Sequence, residues 1–158
     1  MSRLFSELRD RIITLGTVVS AVAIAISLCV AVSPAIAASN LSHADESAYS
    51  YLISPNDGQT VPSEFTVKFG LSGMGVAPAG VNKDGTGHHH LLIDVTDLPD
   101  LTQPLPATAN IKHFGGGQTE TTLELEPGEH TLQLLLGNYS HVPHDNPVLS
   151  DKIQITVE

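Results

Sequence analysis

Short stretches in which apolar and polar residues alternate, separated by loops rich in proline and glycine, are the feature that most restricts the fold of this chain. In residues 64–71, Phe65, Val67 and Phe69 point to one side of an extended chain, and polar residues or glycine point to the other. Such alternation predicts a β-strand with one buried face. After residue 48 we predict at least six strands and no helix. The expected fold class is all-β, a small antiparallel β-sandwich of immunoglobulin-like or cupredoxin-like type.

Turn signals place the other predicted strands and loops. Pro127-Gly128 suits a type II turn, so we predict a hairpin of residues 119–126 and 129–136. Residues 96–112 carry three prolines, which exclude a helix and a central strand. We therefore expect this segment to wrap across an end or edge of the sheet. The remaining strands are predicted at residues 49–53, 88–95 and 153–157, and the remaining long loops at 72–87 and 137–147.

The first 37 residues have the parts of a secretory signal peptide. Three arginines precede an apolar run over residues 12–32, and Ala35-Ile36-Ala37 is a small-residue cleavage motif. We therefore predict a cleaved N-terminal signal helix in residues 1–37, a flexible leader over 38–48 and a single β-sandwich domain over 49–158. The protein is expected in the periplasm or another extracytoplasmic space, with no stable membrane insertion after cleavage. An uncleaved anchor is the alternative, since the run is long enough to span a bilayer.

The chain after residue 37 is acidic and contains no cysteine. It has 4 Lys or Arg against 15 Asp or Glu, a net charge of −11 with the histidines neutral. This charge repels phosphate backbones, so we expect no nucleic-acid partner. The single cysteine of the chain, Cys29, lies in the signal segment, so the domain can form neither a disulfide nor a thiolate metal site.

Three consecutive histidines, His88, His89 and His90, open the predicted strand 88–95. Because side chains alternate along a strand, His88 and His90 share one face and His89 points to the other. His43 in the leader is interpreted as a solvated residue, and His130 near the predicted turn as a structural one.

The remaining histidines, His113, His141 and His144, lie next to Gly- or Pro-rich loops that could gather at one end of the sandwich. Together with His88 and His90, they predict a metal site. Neutral imidazole binds copper and zinc well, and calcium and magnesium poorly. With nitrogen donors and no thiolate, we expect copper before zinc, with Met74 and Asp145 as candidate extra ligands. The alternative is that these histidines lock long loops to the sheet by hydrogen bonds. The candidate metal ligands are His88, His90, His113, His141 and His144.

Four segments of the domain combine glycine, histidine and apolar residues in long motifs. They are Phe69-Gly-Leu-Ser-Gly-Met-Gly-Val-Ala-Pro-Ala-Gly80, Gly87-His-His-His-Leu-Leu-Ile-Asp94, His113-Phe-Gly-Gly-Gly-Gln-Thr-Glu120 and Pro127-Gly-Glu-His-Thr-Leu-Gln-Leu-Leu-Leu-Gly137. Together they resemble a secreted bacterial family named domain of unknown function 4399, over roughly residues 50–158. The resemblance implies a compact extracytoplasmic β domain, and it implies no activity or ligand set.

These patterns leave three functions to test. The first is a secreted, non-enzymatic domain that binds a transition metal for storage, delivery or sensing. The second is an immunoglobulin-like interaction module that docks to an envelope protein or a polysaccharide, with structural histidines. The third is a metalloenzyme of the dismutase or oxidase type. The sequence has no acyl-transfer or dinucleotide-binding motif, so we predict no catalytic or cofactor-binding residues apart from metal ligands.

Overall fold

A computed structural model describes residues 41–158, so the predicted signal peptide lies outside the described residues. Within this range we find no helix that could span a bilayer. The predicted all-β class is confirmed, because every regular element of the described residues is a strand. The strands are β1 (Tyr49–Ser54), β2 (Thr60–Val61), β3 (Glu64–Ser72), β4 (Gly75–Val76), β5 (Thr86–Ile93), β6 (Ile111–His113), β7 (Glu120–Glu124), β8 (Gly128–Gly137) and β9 (Ile153–Val157).

The strands form two sheets. The smaller sheet has the order β1-β3-β7, and both of its pairs are antiparallel. The larger sheet has the order β2-β9-β8-β5, and β4 and β6 both pair with β5 on its far side. The short pairs β2–β9 and β4–β5 are parallel, whereas the other pairs are antiparallel.

One apolar core lies between the two sheets, so the domain is a β-sandwich. The alternating residues of β3 supply Phe65, Val67 and Phe69 to this core from the smaller sheet. Leu91 of β5 and Leu134 of β8 face them from the larger sheet, and both are fully buried. The predicted inward face of residues 64–71 is therefore correct.

The predicted hairpin at Pro127-Gly128 is wrong. Its first strand, β7, pairs with β3 in the smaller sheet, where Leu123 lies opposite Phe65. Its second strand, β8, pairs with β5 and β9 in the larger sheet. The turn connects the two sheets, because the apolar residues of β7 and β8 meet across the core rather than side by side in one sheet.

The outer face of the larger sheet is covered by loops. Leu105 and Ile111 lie against Leu92 of β5 and Leu135 of β8 in a second apolar cluster. Residues 96–112 therefore lie over the outer face of the larger sheet, whereas we predicted that they wrap across an end or edge. Their last residues form the start of β6. Because of this cover, β5 is buried on both faces from Gly87 to Ile93.

Candidate metal centre

Strand pairing brings three histidines to one patch of the covered outer face. His88 and His90 lie two residues apart on β5 and share a face, as predicted. His90 lies directly opposite His113 of β6 in the antiparallel register. Side chains of directly opposed residues stand on the same side of a sheet, so His113 joins the other two.

A tight turn after β8 supplies the fourth histidine, His141. The backbone N–H of His141 donates to the carbonyl oxygen of Asn138 at 2.9 Å. The side-chain oxygen of Asn138 accepts the N–H groups of Ser140 at 2.8 Å and Val142 at 3.1 Å. His141 has a φ of 68°, which is an unfavourable backbone conformation for a residue with a Cβ. Such strain is frequent at ligand sites, where the surrounding structure maintains it.

The four rings pack against one another and form what we call the histidine cluster: His88, His90, His113 and His141. Every pair of these rings has centroids between 4.5 and 6.1 Å apart. One nitrogen each from His88, His113 and His141 lies within 4.8 Å of the others, close enough for all three to hold one metal ion. His88 is buried, His141 half-buried and His113 exposed, so the cluster opens to solvent on the side of the last two.

Two glycines make room for the rings. A Cβ at Gly115 would overlap the ring of His113, and a Cβ at Gly137 would approach Cε1 of His90 to 2.7 Å. The role of Gly137 depends on its position opposite His88 in the β5–β8 register.

Burial leaves ring nitrogens of the cluster without protein partners. Among residues 41–158 no group forms a hydrogen bond with either ring nitrogen of His88 or of His90. Neutral imidazole carries one donor and one acceptor, and an unpaired buried polar atom costs about 1–3 kcal/mol. A metal ion would satisfy nitrogens in this position, so the cluster fits a metal by chemistry as well as by geometry.

The surroundings also favour the neutral form of His88, His90 and His113. Burial, followed by repulsion from His113, lowers the pKa of His88 to about 4. Burial, followed by repulsion from His88, lowers the pKa of His90 to about 3. Burial, followed by repulsion from His141, lowers the pKa of His113 as well. Neutral imidazole is the form that binds metal, so at neutral pH these rings need not lose a proton first.

The other predicted ligands lie outside the cluster. His144 is buried, but its Nε2 donates to the carbonyl oxygen of Thr86 at 3.3 Å, and it is not in the set whose nitrogens converge. Met74 packs at the edge of a small apolar cluster around Ala48. The carboxylate of Asp145 accepts hydrogen bonds from Ala44 N–H and the ring of His43.

His43, His89 and His130 also stay apart from the centre. His43 is exposed and hydrogen-bonds Asp145, and His130 binds Asp94 and the carbonyl oxygen of Glu126 near the turn. His89 points to the opposite face, as predicted, and its ring lies 5.4 Å from that of Phe69. Burial lowers the pKa of His89 to about 4, and the metal centre does not explain why a histidine occupies this position.

Comparison with protein-family models identifies the relatives of this chain. Residues 67–158 match the family described as Domain of unknown function (DUF4399). No curated protein and no solved structure matches the chain. The matched region covers more than half of the sequence, contains the whole histidine cluster and confirms the resemblance seen in the glycine and histidine motifs. The chain therefore belongs to the DUF4399 family.

Proposed function

We propose that this protein is an exported, non-enzymatic β-sandwich that binds one copper or zinc ion at the histidine cluster, for storage, delivery or sensing of metal in the cell envelope. The observation that carries the proposal is the convergence of four imidazoles from three separate parts of the chain: β5, β6 and the turn after β8. Export rests on the signal-peptide pattern of residues 1–37.

The donor set favours copper(II) before zinc. Imidazole nitrogens suit both ions, and copper(II) binds a given set of nitrogen donors more tightly than zinc does. The mature chain supplies no thiolate, and Met74 packs among apolar residues, so a soft copper(I) site is disfavoured. The three converging nitrogens of His88, His113 and His141 would form the primary set, with His90 beside them as a fourth donor.

A titration of the tag-free chain from residue 38 with copper and zinc tests the proposal. The wild-type protein should bind one ion per chain, and replacing both His88 and His90 with asparagine should abolish binding. The matched control replaces His130 with asparagine instead, which removes a histidine outside the cluster and should leave the stoichiometry unchanged. Equal loss in both variants, or no stoichiometric metal in the wild type, would rule out this site.

A second candidate function is an interaction module, and one surface favours it. Tyr49, Tyr51 and Ile53 project from β1, an edge strand of the smaller sheet, and each is between 42% and 52% exposed. A row of large exposed apolar side chains suits contact with an envelope protein. Replacing Tyr49 and Tyr51 with serine should then abolish complex formation with that protein while metal binding stays unchanged. If the double variant still forms the complex, this row of side chains is not the interface.

A further inference from the structure

We propose that residues 42–45 are a clamp that holds the loop carrying His141 in its metal-binding conformation. This inference rests on the proposed metal function and adds positioning residues that lie about a hundred positions before the loop in sequence. We call residues 42–45 the clamp segment and residues 137–147 the metal loop. Metal affinity should therefore depend on side chains that do not touch the metal.

Asp145 of the metal loop is the centre of the contacts between the two segments. Its backbone N–H donates to the carbonyl oxygen of Ser42 at 3.0 Å. Its carboxylate accepts the N–H of Ala44 at 3.0 Å and a hydrogen bond from the ring of His43 at 2.9 Å. The side chain of Asn146 adds a weaker bond to the carbonyl oxygen of Asp45 at 3.3 Å. Each residue of the clamp segment is thus bonded to the loop.

An apolar contact anchors the clamp segment at the base of the metal loop. Ala44 is 2% exposed and packs in one cluster with Ala48, Leu136 and Val148. Leu136 directly precedes the loop and Val148 directly follows it, so the segment joins both ends. The sequence predicted a flexible leader here, and in the structure residues 42–48 lie against the domain.

The clamp reaches His141 through Asn138. The side-chain N–H of Asn138 donates to the hydroxyl of Ser42 at 3.0 Å. The side-chain oxygen of the same residue binds the N–H groups on both sides of His141, where the backbone is strained. Fixing the orientation of the Asn138 amide therefore fixes the turn that presents His141. A looser turn would populate the binding-competent conformation less, and the apparent affinity falls in proportion to that population.

Asp145→Ala tests the clamp, and Asp45→Ala is its matched control. Both variants remove an exposed carboxylate, but the carboxylate of Asp45 bonds only to Ser47 and not to the metal loop. The contact of Asp45 with the loop is through its backbone carbonyl oxygen, which alanine keeps. We expect copper to bind Asp145→Ala about tenfold more weakly than the wild type, and Asp45→Ala as tightly as the wild type. Asp145→Asn keeps an oxygen for Ala44 N–H without the charge and should bind nearly as the wild type does. An equal loss in Asp145→Asn would assign the effect to charge and overturn the proposal.

Amide hydrogen exchange of the metal-free protein separates this inference from the metal function. Exchange across residues 137–147 should accelerate in Asp145→Ala and stay unchanged in Asp45→Ala. A double variant, Ser42→Ala with His43→Ala, removes the side-chain contacts that the clamp segment makes with the loop, and it should accelerate exchange there too. This variant tests the clamp if Asp145→Ala fails to fold. If the wild type binds no copper, the proposed function fails, while unchanged exchange in these variants overturns the clamp itself.

Discussion

A single methyl group added at Gly115 should weaken metal binding without unfolding the domain. A Cβ at this position would overlap the ring of His113 and lie 3.2 Å from the Cβ of Ala79. Gly115 is not among the described glycines with a positive φ, so the backbone accepts alanine there. The ring of His113 must therefore move, while the chain can stay in place.

The structure indicates how much Gly115→Ala should change the stability of the domain and its metal affinity. His113 is exposed, so its ring can turn toward solvent, and the free energy of unfolding of the metal-free protein should change by less than ~1 kcal/mol. Turning the ring removes its nitrogen from the set that converges within 4.8 Å. Mutation of a residue that orients a metal ligand lowers affinity about 10- to 100-fold, which corresponds to about 1.4 to 2.7 kcal/mol.

Gly116→Ala is the control, because a Cβ there meets only the end of the Gln118 side chain. The assay is a competition titration with a coloured chelator, combined with thermal unfolding of the metal-free proteins. We expect weaker binding for Gly115→Ala, wild-type binding for Gly116→Ala and similar unfolding temperatures for both. Wild-type affinity in Gly115→Ala would refute the view that His113 binds metal from its position in the structure.

His144→Gln should bind metal as tightly as the wild type, because His144 lies outside the cluster; a clear loss in the same titration would make it a ligand. Leu134→Ala should lower the free energy of unfolding by about 2–5 kcal/mol in urea, since Leu134 is fully buried in the core; a negligible change would contradict the packing described. The hydrogen bond from His130 to Asp94 raises the pKa of His130 above 6.5, so its stabilising effect is complete below that pH and disappears as pH rises through the raised pKa. Asp94→Asn should therefore lower the unfolding temperature more at about pH 6 than at about pH 9, and an equal loss at both would argue against this pair.

Alternation along single strands could be predicted from the sequence, because it depends only on local geometry. The inward face of β3 and the split of His88 and His90 from His89 follow from the two-residue period of an extended chain. The choice between a hairpin and a connection across the sandwich at Pro127-Gly128 does not follow from this period. The apolar residues of β7 and β8 can be buried either way, and the partner strands β3 and β5 lie far away in sequence.

The convergence of the histidines could be predicted only in part. The pairing of His90 with His113 depends on β6, a three-residue strand without a propensity signal of its own. The position of His141 depends on Asn138 and on contacts with residues almost a hundred positions earlier. In the predicted leader, Ala44 and Ala48 are small apolar residues among polar ones, too weak a pattern to indicate that they are buried.

X-ray absorption spectroscopy of the tag-free chain from residue 38, loaded with one equivalent of zinc, tests the metal centre most directly. We predict a shell of three or four imidazole nitrogens at about 2.0–2.1 Å from the metal, lost when both His88 and His90 are replaced with asparagine. A shell made mainly of water or carboxylate oxygens, or a protein that does not retain one zinc ion per chain, would contradict binding at the histidine cluster.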